Sequence, residues 1–233
     1  MNVQRGSRLR DIANAGEDAR RALERAGLDY CCEGSRTLGE ACAAAGVEVE
    51  LLEAELRRVD CAAPQDWSPS GISAVLDCVL DVCHPRTKRL LADARSVVAS
   101  LAVREPRARI LAEALDALDE VVSKQMCEEE ECLFARVRAL AEARMGRGPY
   151  PPPPFRTIHE HGDRLREGHK HTHARIRRVS EYLAQLGGAA DADVVRERVQ
   201  AALSALTEQM HFENNELIPR ASDLEPNGYA AHA

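Results

Sequence analysis

The sequence predicts an all-α protein, with a small helical module over residues 1–60 followed by a four-helix bundle over residues 66–222. Three observations lead there. Aromatic residues make up only 3% of the 233-residue chain while Ala, Leu, Arg and Glu dominate, a composition that favours helix over sheet. Cap and stop signals cut the chain into helical lengths, with one proline run between them. Finally, the pattern Q-M-x-x-E-x-x-x-L-[F/I]-x-R occurs twice, from Gln125 to Arg136 and from Gln209 to Arg220.

The elements follow in order. The first helix runs from about Ser7 to Ala26 and stops at Gly27. A second opens with the capping box Thr37-Leu38-Gly39-Glu40 and stops at Gly46, and a third covers about Val49 to Val59. A break from Cys61 to Asp66 ends the module. Ser68-Pro69 reads as an N-cap with Pro at the first helical position, starting a helix that reaches about Ala102. Glu105-Pro106 starts another, ending near Met145. The run from Pro149 to Pro154 must be extended and forms a stiff crossover. The third long helix spans about Phe155 to Leu186 before Gly187-Gly188, and the fourth about Asp191 to Asn215. Four long helices with one crossover describe a bundle.

Composition also excludes partners. Net charge is −7, with basic residues scattered among acids, so nucleic acid is not expected. The first residues carry no apolar signal region, and no apolar run reaches the roughly 18 residues a membrane span needs. No membrane association and a cytoplasmic location are expected. The eight cysteines then read as thiols rather than disulfides, and with no C-x-x-C present a zinc ribbon is not indicated.

The repeat carries the chemistry. Residues at i and i+4 share a helix face, so each copy aims an amide and a carboxylate together, and facing helices would pair Glu129 with Glu213. Inward carboxylates on facing helices hold two metal ions in some four-helix bundles, whereas solvent-facing Gln and Glu on amphipathic helices would do nothing. The other two long helices offer His84 and His161, whose imidazoles with carboxylates suit iron or manganese. Cys31 and Cys32 are read either as small apolar filler or as reactive thiols before a helix N-terminus, with lowered pKa values suited to thiol chemistry or metal handover. Cys127 and Cys132 are read as core filler. His169, His171 and His173 lie in a strongly polar run and are read as a solvated face, with the alternative that His169 and His173, four residues apart, hold a surface metal ion. Glu128 and Glu130 lie off the Glu129 face, and His211 points about 160° from Glu213.

Taken together, His84, the two E-x-x-x-L-[F/I] segments, Glu160-His161 and the tail from Phe212 to Arg220 resemble the hemerythrin-like bundle of the di-iron proteins that repair iron–sulfur clusters. The run from Gly27 to Cys42, with Leu28-Asp29-Tyr30-Cys31-Cys32 at its centre, resembles that family's N-terminal double-cysteine domain, and Asp66-Trp67 falls where the family opens its bundle. The resemblance spans residues 8–222. It implies repair of damaged iron–sulfur proteins under nitrosative or oxidative stress by a non-haem centre of two Fe, with Glu129 and Glu213 bridging and His84 and His161 capping. Nothing in it requires substrate turnover.

The chain departs from the family pattern at Gln125 and Gln209, where histidine stands in the family, and at Pro85, which should kink its helix. Two further readings therefore stay open: a di-iron protein that binds or reduces nitric oxide or oxygen, and a metal-free interaction module. A homodimer is a further candidate assembly. The Cys31-Cys32 module is expected to be separate enough that the bundle core does not need it.

Overall fold

The computed structural model describes residues 3–59, 71–152, 157–187 and 191–226. The expected break from Cys61 to Asp66, the Asp66-Trp67 and Ser68-Pro69 signals, Phe155 and Gly188 lie outside them. The described residues are helical, with a single isolated bridge between Arg8 and Thr37 and no strand. No helix among them is long and apolar enough to cross a membrane.

The N-terminal module holds α1 (Leu9–Ala13), α2 (Glu17–Arg25), α3 (Leu38–Ala45) and α4 (Val49–Arg58). The single helix expected over residues 7–26 is two, because Gly16 takes φ 140°, a backbone state open to glycine. The break frees Asn14, whose Nδ2 donates to Glu216 Oε1 at 3.0 Å on the far side of the chain. Thr37 and Glu40 form the capping box, and Gly46 ends α3 in the left-handed conformation.

The first bundle helix is α5 (Ile72–Cys78), a π-helical turn at Val79–Cys83 and α6 (His84–Ala102). The second is α7 (Ala108–Glu128), a π turn at Glu129–Phe134 and α8 (Ala135–Arg144). The third is α9 (Ile158–Ala184), opened by a capping box of Thr157 and Glu160. The fourth is α10 (Ala192–Phe212), a π turn at Glu213–Leu217 and α11 (Ile218–Ser222). Helix α6 packs on α7 and α10, and α9 packs on the same two, which closes the ring. The described part of the crossover, residues 149–152, is neither helix nor strand.

Pro85 stands where the first π turn gives way to α-helix. Its missing N–H follows the π turn directly, so the lost α-type bond falls where the helix has already widened. Pro219 stands the same way after the third π turn, which carries the fourth helix past Asn215 to Ser222 instead of ending it. The π turn at Glu129 has no proline beside it, and no local sequence feature accounts for it.

The module is not separate from the bundle. Cys31 and Cys32 are buried in the same apolar cluster as Leu91, Val122, Met126, Leu206 and Met210. Asn215 Nδ2 donates to Cys31 O at 3.0 Å, and it fits only because Gly34 has no Cβ to strike its Oδ1. Arg20 of α2 and Arg86 of α6 both donate to Glu208 at 2.5 Å, across the seam. Against the expectation of a separate module, the Cys pair is packed into the bundle's apolar cluster.

Candidate metal centre

Midway along the bundle the apolar layers give way to a buried polar cluster with one residue from each long helix. His84 is 1% exposed, Glu129 4%, and His169 and Glu213 0%. His84 Nε2 lies 3.1 Å from Glu213 Oε1 and 3.7 Å from Glu129 Oε2. His169 Nε2 lies 3.1 Å from Glu213 Oε2 and 3.6 Å from Glu129 Oε1. Each carboxylate therefore directs one oxygen toward each imidazole. His84 follows the first π turn, while Glu129 and Glu213 begin the second and third. Such widened turns recur at functional sites because they rotate a side chain out of α register.

Surrounding groups fix both imidazoles. Glu130 Oε1 lies 2.7 Å from His84 Nδ1; a carboxylate can only accept, so Nδ1 carries the proton and Nε2 faces the cluster. For His169 the logic starts in the N-terminal module. The Cys31 carbonyl accepts from Asn214 Nδ2 at 3.0 Å. That turns Asn214 Oδ1 to His169 Nδ1 at 2.9 Å, so Nδ1 donates and Nε2 again faces inward. The glutamines orient the carboxylates. Gln125 Nε2 donates to Glu129 Oε1 at 2.7 Å, and Gln209 Nε2 donates to Glu213 Oε1 at 3.0 Å. Thr172 donates to Gln125 Oε1 at 3.3 Å.

The electrostatics are those of a charged cluster in a dry core. Burial opposes the His169 imidazolium, yet Glu129 and Glu213 overcome it and lift its pKa to about 10. His84 is raised too, against burial, by its bonds to Glu213 and Glu130. Burial works against ionised Glu213, but the two imidazoles hold it well below the usual carboxylate range. Glu129 moves up instead, through burial and the charge on Glu213.

The donor set fits a cation. Glu129 Oε2, Glu213 Oε2, His169 Nε2 and Gln209 Oε1 are buried and, among the described residues, have no hydrogen-bond partner. The His169–Glu213 approach is close but poorly directed for a hydrogen bond. Each such orphan costs about 1–3 kcal/mol, and a metal ion among them would satisfy several at once. His84, Glu129 and Glu213 offer ligand atoms within 4.8 Å of one another.

Residues 77–221 match the model described as the hemerythrin HHE cation binding domain. The chain belongs to this family. Residues 6–60 match a second model, the ScdA N-terminal domain of unknown function (DUF542). An iron-sulfur cluster repair protein YtfE of Escherichia coli strain UMN026 is 27% identical over 204 residues, covering 83% of this chain and 86% of the relative. A protein of the same name from Citrobacter koseri is 27% identical over the same shares.

Within this HHE domain the structure brings together His84, Glu129 and Glu213. The third helix faces them with His169 rather than the expected His161, which is half-buried eight residues earlier, roughly 12 Å along the axis. The signal for His169 was in the sequence. Ile158, Gly162, Leu165, His169, Thr172, Ile176, Val179 and Leu183 are the buried residues of α9, at alternating steps of four and three. His169 sits on that stripe and His161 beside it.

Other readings change as well. Cys127 and Cys132 are exposed, not core filler. Glu130, set aside for lying off the Glu129 face, supports His84. Cys31 and Cys32 lie well before the α3 N-terminus; burial, then the Cys32 and Asp29 neighbours, pushes the Cys31 thiol up rather than down. His211 is turned from the cluster, with Nε2 at 2.9 Å from Asn14 Oδ1, and burial lowers its pKa to about 4.

Proposed function

We propose that this protein restores iron–sulfur clusters damaged by nitrosative or oxidative stress, in the cytoplasm, with a non-haem di-iron centre in its bundle as the store or donor of iron. One observation carries the reading: two buried carboxylates each direct one oxygen to each of two imidazoles. Glu129, Glu213, His84 and His169 would together hold a pair of cations there. Bound iron would supply an exchangeable, redox-active cation. The name carried by the relatives supports damaged iron–sulfur proteins as clients.

The chain's own residues do the rest. Glu130 and Asn214 hold the imidazole tautomers, Gln125 and Gln209 hold the carboxylates, and the Phe134 ring packs beside His84. The test is reactivation of an iron–sulfur enzyme inactivated by nitric oxide, using protein purified without oxygen. Iron-loaded parent should reactivate it, and Glu129→Ala with Glu213→Ala should not. Failure of iron-loaded parent would sink the reading.

A second reading, binding or reduction of nitric oxide or oxygen at the same centre, is favoured by Gln125 and Gln209. Glutamine supplies no imidazole, and the amide N–H groups face the carboxylates, so a bound cation would keep coordination positions open. Consumption of nitric oxide by the reduced protein would favour it over repair.

A further inference from the structure

A second group of metal-ligating side chains lies where the N-terminal module meets the bundle. The segment from Leu28 to Cys32 folds so that Asp29 Oδ1 accepts from the Cys32 N–H at 2.8 Å and from the Cys31 thiol at 3.1 Å. The two sulfurs stand 3.3 Å apart. One ligand atom from each of Asp29, Cys31 and Cys32 lies within 4.8 Å of the others. From α9, His173 Nδ1 approaches Asp29 Oδ2 at 3.4 Å. The Asp29 and His173 side chains are 19% and 14% exposed, so the carboxylate reaches solvent, whereas the thiols lie beneath.

We propose that Asp29, Cys31 and Cys32 form a mononuclear site for a borderline divalent transition-metal ion, zinc(II) or iron(II), with His173 orienting the carboxylate. Two thiolates and a carboxylate are the soft and borderline donors such ions take, whereas calcium and magnesium take oxygen. Two sulfurs about 2.3 Å from a shared tetrahedral zinc stand roughly 3.8 Å apart, so the pair needs only a small side-chain rotation. Binding breaks two S–H bonds and forms two metal–sulfur bonds. Both protons go to solvent and no electrons move. The ion takes the place of the proton now shared between Cys31 and Asp29, and three thiolate and carboxylate charges become one net negative charge. A fourth position stays open, as in sites that exchange a ligand. Asn214 links this site to the bundle cluster, because it bonds both the Cys31 carbonyl and His169.

The site is separable from the bundle centre by its sulfur, since no thiol is among the ligands there. Cobalt(II) is titrated into reduced full-length protein without oxygen, and the thiolate-to-cobalt charge-transfer absorption is read. The parent should give the band, with zinc(II) displacing it. Cys31→Ser with Cys32→Ser should abolish it, and Cys78→Ser with Cys83→Ser should keep it. Asp29→Asn and His173→Ala should each weaken binding by about 10-fold or more, with helical circular dichroism unchanged. No band in the parent, or an equal band in Cys31→Ser with Cys32→Ser, overturns the proposal. If that double variant unfolds, Asp29→Asn decides, and unchanged affinity there overturns it too.

Discussion

The two copies of the Q-M-x-x-E motif present the same side chains to the same cluster from different settings. In the second bundle helix, Glu129 is followed by Glu130 and Glu131, which face Lys88 and Cys127 near solvent. In the fourth, Glu213 is followed by Asn214 and Asn215, which are bonded to the backbone of Tyr30 and Cys31. Gln125 is pinned by Thr172, whereas Gln209 Oε1 has no partner among the described residues. Glu213 holds both imidazoles at 3.1 Å, while Glu129 stays at 3.6 and 3.7 Å. The repeat supplies the two buried glutamates, and the residues after each one decide what each copy is fastened to. The fourth helix is fastened to the N-terminal module.

The largest difference should appear in metal-free protein. Glu213→Gln takes the nearest carboxylate from the inward Nε2 of both buried imidazoles, leaving His169 without its closest counter-charge, and should cost about 3–5 kcal/mol, as loss of one partner of a buried pair does. Glu129→Gln removes a carboxyl whose ionisation is already disfavoured, and should cost less than about 1.5 kcal/mol, the worth of an ordinary hydrogen bond. Urea unfolding of the two apo variants reads the gap. Equal losses would mean the two carboxylates share the charge evenly.

Next comes the support behind each imidazole. Asn214→Ala and Glu130→Ala should each weaken iron(II) binding by about 10–100-fold. Asn214→Ala should also loosen the module, seen as faster amide exchange at residues 30–32. If Glu130→Ala loosens the module equally, the copies are not fastened as described.

The smallest effect concerns the amides. Gln209→His should raise iron occupancy more than Gln125→His, because Gln125 is held by Thr172 and its replacement leaves that hydroxyl unpaired. Metal analysis of the two single variants checks the order. The reverse order would show that the Thr172 bond does not constrain the first copy.

Much of this was legible in the chain. The helices followed from cap and stop signals such as Thr37–Glu40 and Gly46, and the Glu129–Glu213 pairing from the repeated spacing. His169 was hidden by its polar neighbours, although the four–three stripe through α9 marks it. Other features are long-range: Asn214 reaching Cys31, Asn14 reaching Glu216 and Glu130 reaching His84 join residues far apart in sequence, and no local pattern encodes such contacts. The π turns were half-legible. Pro85 announced a disturbance of its helix, but not that a π turn would precede it.

The central claim is that His169, not His161, completes a metal cluster with His84, Glu129 and Glu213. Iron content, measured side by side on parent, His169→Ala and His161→Ala purified without oxygen, tests it most directly. The account predicts iron in the parent, most of it lost in His169→Ala, and near-parental content in His161→Ala. Iron lost in His161→Ala but kept in His169→Ala, or none in the parent, would contradict it.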